Sequence, residues 1–305
     1  MTDAGRVRDG VEATFGFDTA FLRRLQRLTI AARRPVRGPF GGPRRSAQRG
    51  ASVEFADFRD YAPGDDLRRV DWSAYARLDR LFLRLYHAER MTTLTLILDH
   101  SPSMSFGDPS KRLMAARLAA IFSYISLGNV DRVAILGLGS RLDHHFQAKG
   151  GKASIPEVWR HIRATMGTAA GGTDFGELRR FGAFQRAQGL TIVISDFLSD
   201  SDWKGGLRAL LAAEQEVSLV QVLAPDEIEP DIRGDWALTD VETSEVVETS
   251  VAARLLRRYE EELAAHTADL RRHASQTGMT FVQMRTDAPI TETVLRDLYR
   301  AGLLR

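Results

Sequence analysis

From residue 92 onward the apolar positions follow two alternating periods. Short apolar runs at 93–98, 132–138, 190–195, 217–223 and 279–284 read as buried strands. Between them, apolar residues recur every three to four positions and predict helices over 110–127 (Leu113, Ala116, Leu118, Ile121, Tyr124), 155–164, 174–186, 203–213, 251–275 and 291–303. Residues 142–147 read as a hairpin partner of strand 132–138. A second hairpin is expected near 235–249, with Val241-Glu242-Thr243-Ser244-Glu245 at its turn. In helix 251–275, Leu255, Leu256, Tyr259, Leu263 and Leu270 are expected to pack into the core. Strands that alternate with helices of this length predict an α/β fold with a doubly wound, mostly parallel sheet.

The first ninety residues have a different texture. Phe21, Leu22, Leu25, Leu28 and Ile30 predict an amphipathic helix over 18–34, ended by Pro35. Residues 33–51 carry six arginines and no acid among glycine and proline breakers, and read as a loop. Pro63-Gly64 signals a turn. Leu81, Leu83 and Leu85 share one face of a strand at 81–86. The expected organisation is therefore an N-terminal region, 1–90, followed by an α/β domain, 91–305.

Composition narrows the class. The 305 residues are 44% hydrophobic and 27% charged, as in globular domains. The absence of cysteine excludes disulfide scaffolds, thiolate metal sites and cysteine catalysis, and fits a reducing compartment. No signal-type stretch opens the chain, and no apolar run reaches the roughly 20 residues that span a bilayer. A cytoplasmic location without a membrane segment is expected. The net charge is +2, but residues 1–90 hold 18 Arg against 12 Asp and Glu. Only four of the 42 basic residues are lysine. The near-neutral total and the single aromatic, Phe40, in the arginine loop favour a solvated loop there. No nucleic acid partner is expected.

Three loops carry candidate chemistry, and each follows a predicted strand or opens a predicted helix. Asp99-His100-Ser101-Pro102-Ser103 follows the strand 93–98. A carboxylate with two hydroxyls at alternate positions makes an oxygen cup for a hard divalent cation, which Mg²⁺ occupies with near-octahedral geometry. Gly171-Gly172-Thr173 and Ile194-Ser195-Asp196 supply a further hydroxyl and carboxylate. The competing reading makes each a turn or helix cap, with Asp174 and Glu177 as a capping pair. Ligands of doubly wound sheets bind at the carboxyl ends of the strands, where Asp99 and Asp196 fall. His144-His145 lie on a strand, where neighbouring side chains point to opposite faces, so a shared metal is not expected.

D-x-S-x-S, Gly-Gly-Thr and Ser-Asp in this order resemble the metal-ion-dependent adhesion site of von Willebrand factor A domains. The segment Glu54-Phe55-Ala56-Asp57, Arg59-Asp60-Tyr61, Pro63-Gly64-Asp65-Asp66 and Arg69-Val70-Asp71-Trp72 resembles the signature of a bacterial family with such a domain, the "domain of unknown function 58" group. The resemblance covers roughly 45 to 285. It implies that Ser101 and Ser103 ligate Mg²⁺ (or Mn²⁺), with Thr173 direct or through water. Asp99 and Asp196 would hold coordinated waters. It further implies a partner protein that completes the shell with an acidic side chain, and an adaptor role beside a MoxR-type AAA+ ATPase. Many relatives carry two membrane helices at the N-terminus, and none is seen here. The signature residues themselves also read as structure: Asp65, Asp66, Arg68, Arg69 and Asp71 as an ion-pair network, with Phe55, Phe58, Tyr61 and Trp72 as apolar anchors.

Enzymatic alternatives lack their residues. A haloacid dehalogenase-type phosphatase wants a second Asp two positions after the first, where Ser101 stands. No G-x-S-x-G elbow is present. Gly151-Lys152 is followed by Ala153 and is not a phosphate-binding loop. The expectation is a binding protein, not an enzyme; a scaffold with a vestigial metal site and an Mg²⁺-dependent phosphohydrolase are the alternatives.

Overall fold

In chain order the elements are α1 (Thr19–Leu25), β1 (Phe55–Asp60), α2 (Trp72–Leu78), β2 (Phe82–Tyr86), β3 (Thr93–Asp99), α3 (Lys111–Gly128) and β4 (Arg132–Leu138). They continue with β5 (Leu142–Gly150), α4 (Ile155–Gly167), β6 (Gly189–Ser195), α5 (Trp203–Ala212), β7 (Gln215–Leu223) and α6 (Pro225–Ile228). The last are β8 (Gly234–Thr239), β9 (Val246–Val251), α7 (Ala253–Thr277), β10 (Thr280–Arg285) and α8 (Ile290–Thr293). This computed structural model describes residues 15–31, 55–62, 65, 67, 70–86, 93–129, 131–167, 171–181, 188–232, 234–240 and 246–305.

The chain forms two compact units, one of residues 36–91 and one of the remainder. The main unit is built on a six-stranded sheet of order β10-β7-β6-β3-β4-β5. Its pairings are parallel except for β5, which runs back along β4 as the predicted hairpin partner. The doubly wound α/β class therefore stands as the alternation predicts.

Side chains alternate across the sheet and feed two cores. Leu94, Leu96 and Leu98 of β3 join the cluster of α3 and α4, whereas Ile97 joins that of α5 and α7. Helix α3 is apolar nearly all round and correspondingly buried. Trp159 of α4 is buried against it, its indole N–H donating to Ala120 O and Ser123 Oγ.

Several expectations are corrected. The N-terminal helix stops at Leu25 instead of continuing toward Pro35: Thr29 exchanges backbone hydrogen bonds with Arg305 and the Ala31 amide donates to Leu303 O, which satisfies those groups in extended form. This segment belongs to the α/β unit, where Phe21, Leu22 and Leu25 join the first core. Of the segment expected as a helix over 174–186, Phe175–Arg180 is a 3₁₀ helix, and residues 182–186 lie outside the described residues. The first half of α7 is exposed, with Leu255 and Tyr259 open to solvent, and burial begins at Thr267. The second hairpin forms as β8 and β9; residues 241–245 lie outside the described residues.

The smaller unit pairs β1 with β2 antiparallel. It contains two elements the sequence reading did not assign, β1 and α2. Asp71 caps α2, its Oδ1 accepting from the Ser73 and Ala74 amides at 2.9 and 3.0 Å. Asp65 Oδ2 accepts from the Ala62 amide, the Tyr61 amide donates to Leu81 O, and Asp60 pairs with Arg80. Trp72 is 58% exposed and packs edge-on to Tyr75, so it is not a buried anchor. Glu54, Pro63, Gly64, Asp66, Arg68 and Arg69, and the side chains of Phe55, Asp57, Phe58 and Arg59, lie outside the described residues. So do the arginine loop and the side chains of His144 and His145.

Candidate metal centre

The strand order of the main sheet reverses between β3 and β6, and such switch points are where doubly wound sheets bind ligands. These neighbours end on Asp99 and Ser195, with Leu98 registered opposite Ile194. Three loops therefore meet there: the one after β3, the one after β6, and the one carrying Thr173.

Asp99 is the hub of the cluster and is fully buried. Its Oδ1 accepts from the Ser101 amide at 3.0 Å and from Thr173 Oγ1 at 2.8 Å. Its Oδ2 accepts from Ser195 Oγ at 2.6 Å. Burial raises the Asp99 pKa above its ordinary value and the Asp196 charge adds to the rise, while hydrogen bonds from Ser195 and Ser101 oppose it. The hydroxyls of Ser101 and Ser103 lie 2.9 Å apart, and Ser103 Oγ donates to Asp196 Oδ2 at 3.1 Å.

The structure thus brings together all five predicted positions, Asp99, Ser101, Ser103, Thr173 and Asp196, within one unit. Capping accounts for only part of this geometry. Ser101 stands at the N-cap of a 3₁₀ turn, Pro102–Ser105, yet makes no capping bond with its side chain. Asp196 divides its carboxylate: Oδ1 accepts from the Leu198 amide at 3.1 Å, and Oδ2 faces the cluster. Asp174 does cap, accepting from the Gly176 amide, but Glu177 completes no capping pair and instead accepts from the Leu142 amide and Arg180.

The loops are held from outside the cluster. Phe197, next to Asp196, adopts a left-handed backbone at φ 59°, a conformation that costs a side-chain-bearing residue about 1–2 kcal/mol. Burial, stacking on Phe175 and a 2.7 Å contact between its carbonyl and His266 Nε2 hold it there. Buried Gln221 donates through Nε2 to Asp196 O at 3.1 Å and accepts from Thr267 Oγ1 at 3.3 Å. Ser199 Oγ donates to Thr173 O at 2.5 Å.

The oxygen spacing suits a small hard cation. Mg²⁺–oxygen bonds of about 2.0–2.1 Å place neighbouring octahedral ligands roughly 2.9 Å apart. The hydroxyls of Ser101 and Ser103, hydrogen-bonded at 2.9 Å, have the separation of such an edge, and Asp196 Oδ2 lies 3.1 Å from Ser103 Oγ, in place to hold a coordinated water. Among the described residues no three His, Cys, Asp or Glu side chains gather as a metal cage, so the donor set depends on its hydroxyls. This fits Mg²⁺ or Mn²⁺ and not a soft metal.

Sequence reasoning missed Lys111 and Glu227, and left Ser195 and Gln221 without a role. Lys111 is 1% exposed, and its ammonium lies 2.6 Å from Asp196 Oδ2 and 2.5 Å from Glu227 Oε1. Glu227 is oriented by the Ala224 amide, which donates to Oε2 at 2.8 Å. Burial lowers the Lys111 pKa, but the Asp196 and Glu227 charges outweigh it and the net shift is upward. The available signal was composition: one of four lysines, in a chain that otherwise uses arginine, opens the helix just after D-x-S-x-S.

The profile of the family described as "Protein of unknown function DUF58" matches residues 57–269. The chain belongs to this family. It is 31% identical over 288 residues to "Uncharacterized protein Rv1480" of Mycobacterium tuberculosis, covering 92% of this chain and 89% of that one. It is 36% identical over 145 residues to "Uncharacterized protein MAV169" of Mycobacterium avium, covering 47% and 80%. Among solved structures it is similar to the conserved hypothetical protein BatB from Bacteroides thetaiotaomicron, with a TM-score of 0.42, 14% identity and coverage of 69% of this chain and 98% of that one. It is also similar to the SpRpn10 VWA domain, with a TM-score of 0.37, 8% identity and coverage of 68% and 94%. Among the described residues no helix is long and apolar enough to cross a membrane.

Proposed function

We propose that this protein is a divalent-cation-dependent protein-binding module that acts as an adaptor rather than an enzyme. The carrying observation is the convergence of Ser101, Ser103 and Thr173 with Asp99 and Asp196 at the sheet's switch point. Ser101 and Ser103 would hold Mg²⁺ or Mn²⁺ with Thr173, and Asp99 and Asp196 would orient its waters. The bound ion would supply an under-neutralised positive centre that attracts a carboxylate. The natural counterpart is an Asp or Glu side chain of a partner protein.

The family resemblance suggests a MoxR-type AAA+ ATPase as that partner, with this chain coupling it to a client during protein or complex maturation. The cysteine-free composition supports work in a reducing, cytoplasmic setting. The non-enzymatic reading is supported by Ser101, which stands where a phosphatase of this topology would need a general acid.

Calorimetric titration of Mg²⁺ and Mn²⁺ into chelator-treated protein tests the proposal, beside an Asp99→Asn variant. Saturable binding to the wild type and not to the variant, followed by cation-dependent retention of the ATPase on immobilised protein, is expected. Retention unchanged by chelator and by Asp99→Asn would leave a scaffold whose site needs no metal. Turnover of a generic phosphoester, lost in the variant, would point to a hydrolase.

A further inference from the structure

Lys111 stands where a cation is costly. It is the first residue of α3, behind the Ser110 cap, at the end of the helix where the backbone dipole is itself positive. It is buried, and burying an ammonium is unfavourable unless carboxylates surround it. The ammonium has two such partners, Asp196 and Glu227, and lies 6.0 Å from the centre of the Phe106 ring.

The oxygen it takes on Asp196 is Oδ2, the same atom that accepts from Ser103. A positive charge therefore already sits two hydrogen bonds from the hydroxyl of Ser103, through a single carboxylate oxygen. A divalent ion held by those hydroxyls would share Asp196 with it and be repelled by it at a separation too short for solvent to screen fully.

We propose that Lys111 is the resident counter-cation of this site. It neutralises Asp196 in the absence of a divalent ion and keeps the site's own cation affinity low. Tight cation binding then requires one more negative ligand than the chain provides, which is the carboxylate of the partner. This deepens the adhesion reading and rests on it: Lys111 makes cation and partner binding interdependent, each favouring the other by the same factor. Glu227 takes part as the second carboxylate on the ammonium, its other oxygen fixed by the Ala224 amide.

The test compares Mg²⁺ and Mn²⁺ titrations of the wild type, Lys111→Met, and the double variant Lys111→Met/Glu227→Gln, in which one charge of each sign is removed. Lys111→Met keeps the length of the apolar stem while removing the ammonium. It is expected to bind Mg²⁺ about tenfold tighter than the wild type or better, as removal of one close like charge predicts. The double variant is expected to retain most of that gain. Thermal melting provides a second readout: Lys111→Met should melt lower than wild type without cation, because Asp196 and Glu227 are left unpaired. It should then gain more from saturating Mg²⁺ than the wild type does. The double variant covers the case in which the single one does not fold. Equal or weaker cation affinity in both variants, with the wild type binding normally, overturns the role of Lys111 and leaves the adhesion reading standing. No binding of either ion to any of the three proteins overturns the role of Lys111, whereas the adhesion reading falls only if retention of the partner is also indifferent to cation.

Discussion

Thr173 Oγ1 donates to Asp99 Oδ1 across 2.8 Å, joining a residue after a Gly-Gly turn to the last residue of a strand 74 positions earlier. The bond ties two of the three loops of the candidate site. Thr173→Val removes the hydroxyl and keeps the shape. It is expected to cost about 1–3 kcal/mol, the range for a buried acceptor that loses a donor. Cation affinity should fall about tenfold or more, because one of three hydroxyl ligands is gone. Denaturant melts and calorimetry on the same preparation separate the two effects.

Asp99 is the position where stability and site chemistry conflict. Its pKa is raised in the folded protein by burial first and by Asp196 second, so the ionised carboxylate costs the fold free energy. A carboxyl whose folded pKa lies above its unfolded value stabilises fully below the unfolded pKa and loses that contribution as pH rises through the folded one. Asp99→Asn removes the charge while retaining an oxygen for Ser101 and Thr173. The difference in melting temperature, variant minus wild type, should therefore grow as pH is raised from acid to neutral. An advantage of ~1 kcal/mol would read as about 2–4 °C in a unit of this size. Asp99→Ala is a poorer probe, since it strands three donors from three parts of the chain.

Packing two shells away positions Thr173. A Cβ at Gly206 of α5 would lie 2.1 Å from Phe175 O and 2.9 Å from its carbonyl carbon, so the Phe175 backbone would have to move. Gly206→Ala should destabilise by about 1–3 kcal/mol, as overpacking does. It should also weaken cation binding, because Phe175 is two residues from Thr173. A variant that is less stable but binds cation normally would show that the Thr173 loop is held by Ser199 and Asp99 alone.

Asp71→Ala tests the smaller unit by itself. Losing the cap of α2 should cost about 1 kcal/mol, the usual value for an N-cap aspartate. Hydrogen exchange of the Ser73 and Ala74 amides should accelerate about fivefold, the factor that corresponds to this energy. The cation titration of the main unit should not change.

Much of the α/β unit is legible in the chain because its signals are local. The β3 run is buried on both faces from Leu94 onward, with Leu94, Leu96 and Leu98 on one and Thr95 and Ile97 on the other, as in a strand covered on both sides. The antiparallel β5 follows β4 after a short turn that leaves room for nothing else. Ser110 before Lys111 marks the start of α3 and caps it through the Leu113 amide. The N-terminal helix misled for the opposite reason. Leu28 and Ile30 keep the apolar spacing of α1 but contact the same core through an extended segment paired with the C-terminus, which no window of sequence contains.

The same division runs through the site. The sequence by itself determined the donor types, their order, and their placement on loops at strand ends, since strand and helix periods are set by neighbouring residues. Only the tertiary structure decided which of those groups meet. Strand order 10-7-6-3-4-5 puts Asp99 beside Ser195 and Asp196, and the α6 turn brings Glu227 to Lys111 across 116 positions. Charge pairing and desolvation depend on distance in space and not along the chain. A lysine that reads as an ordinary helix residue therefore becomes the buried cation of the cluster.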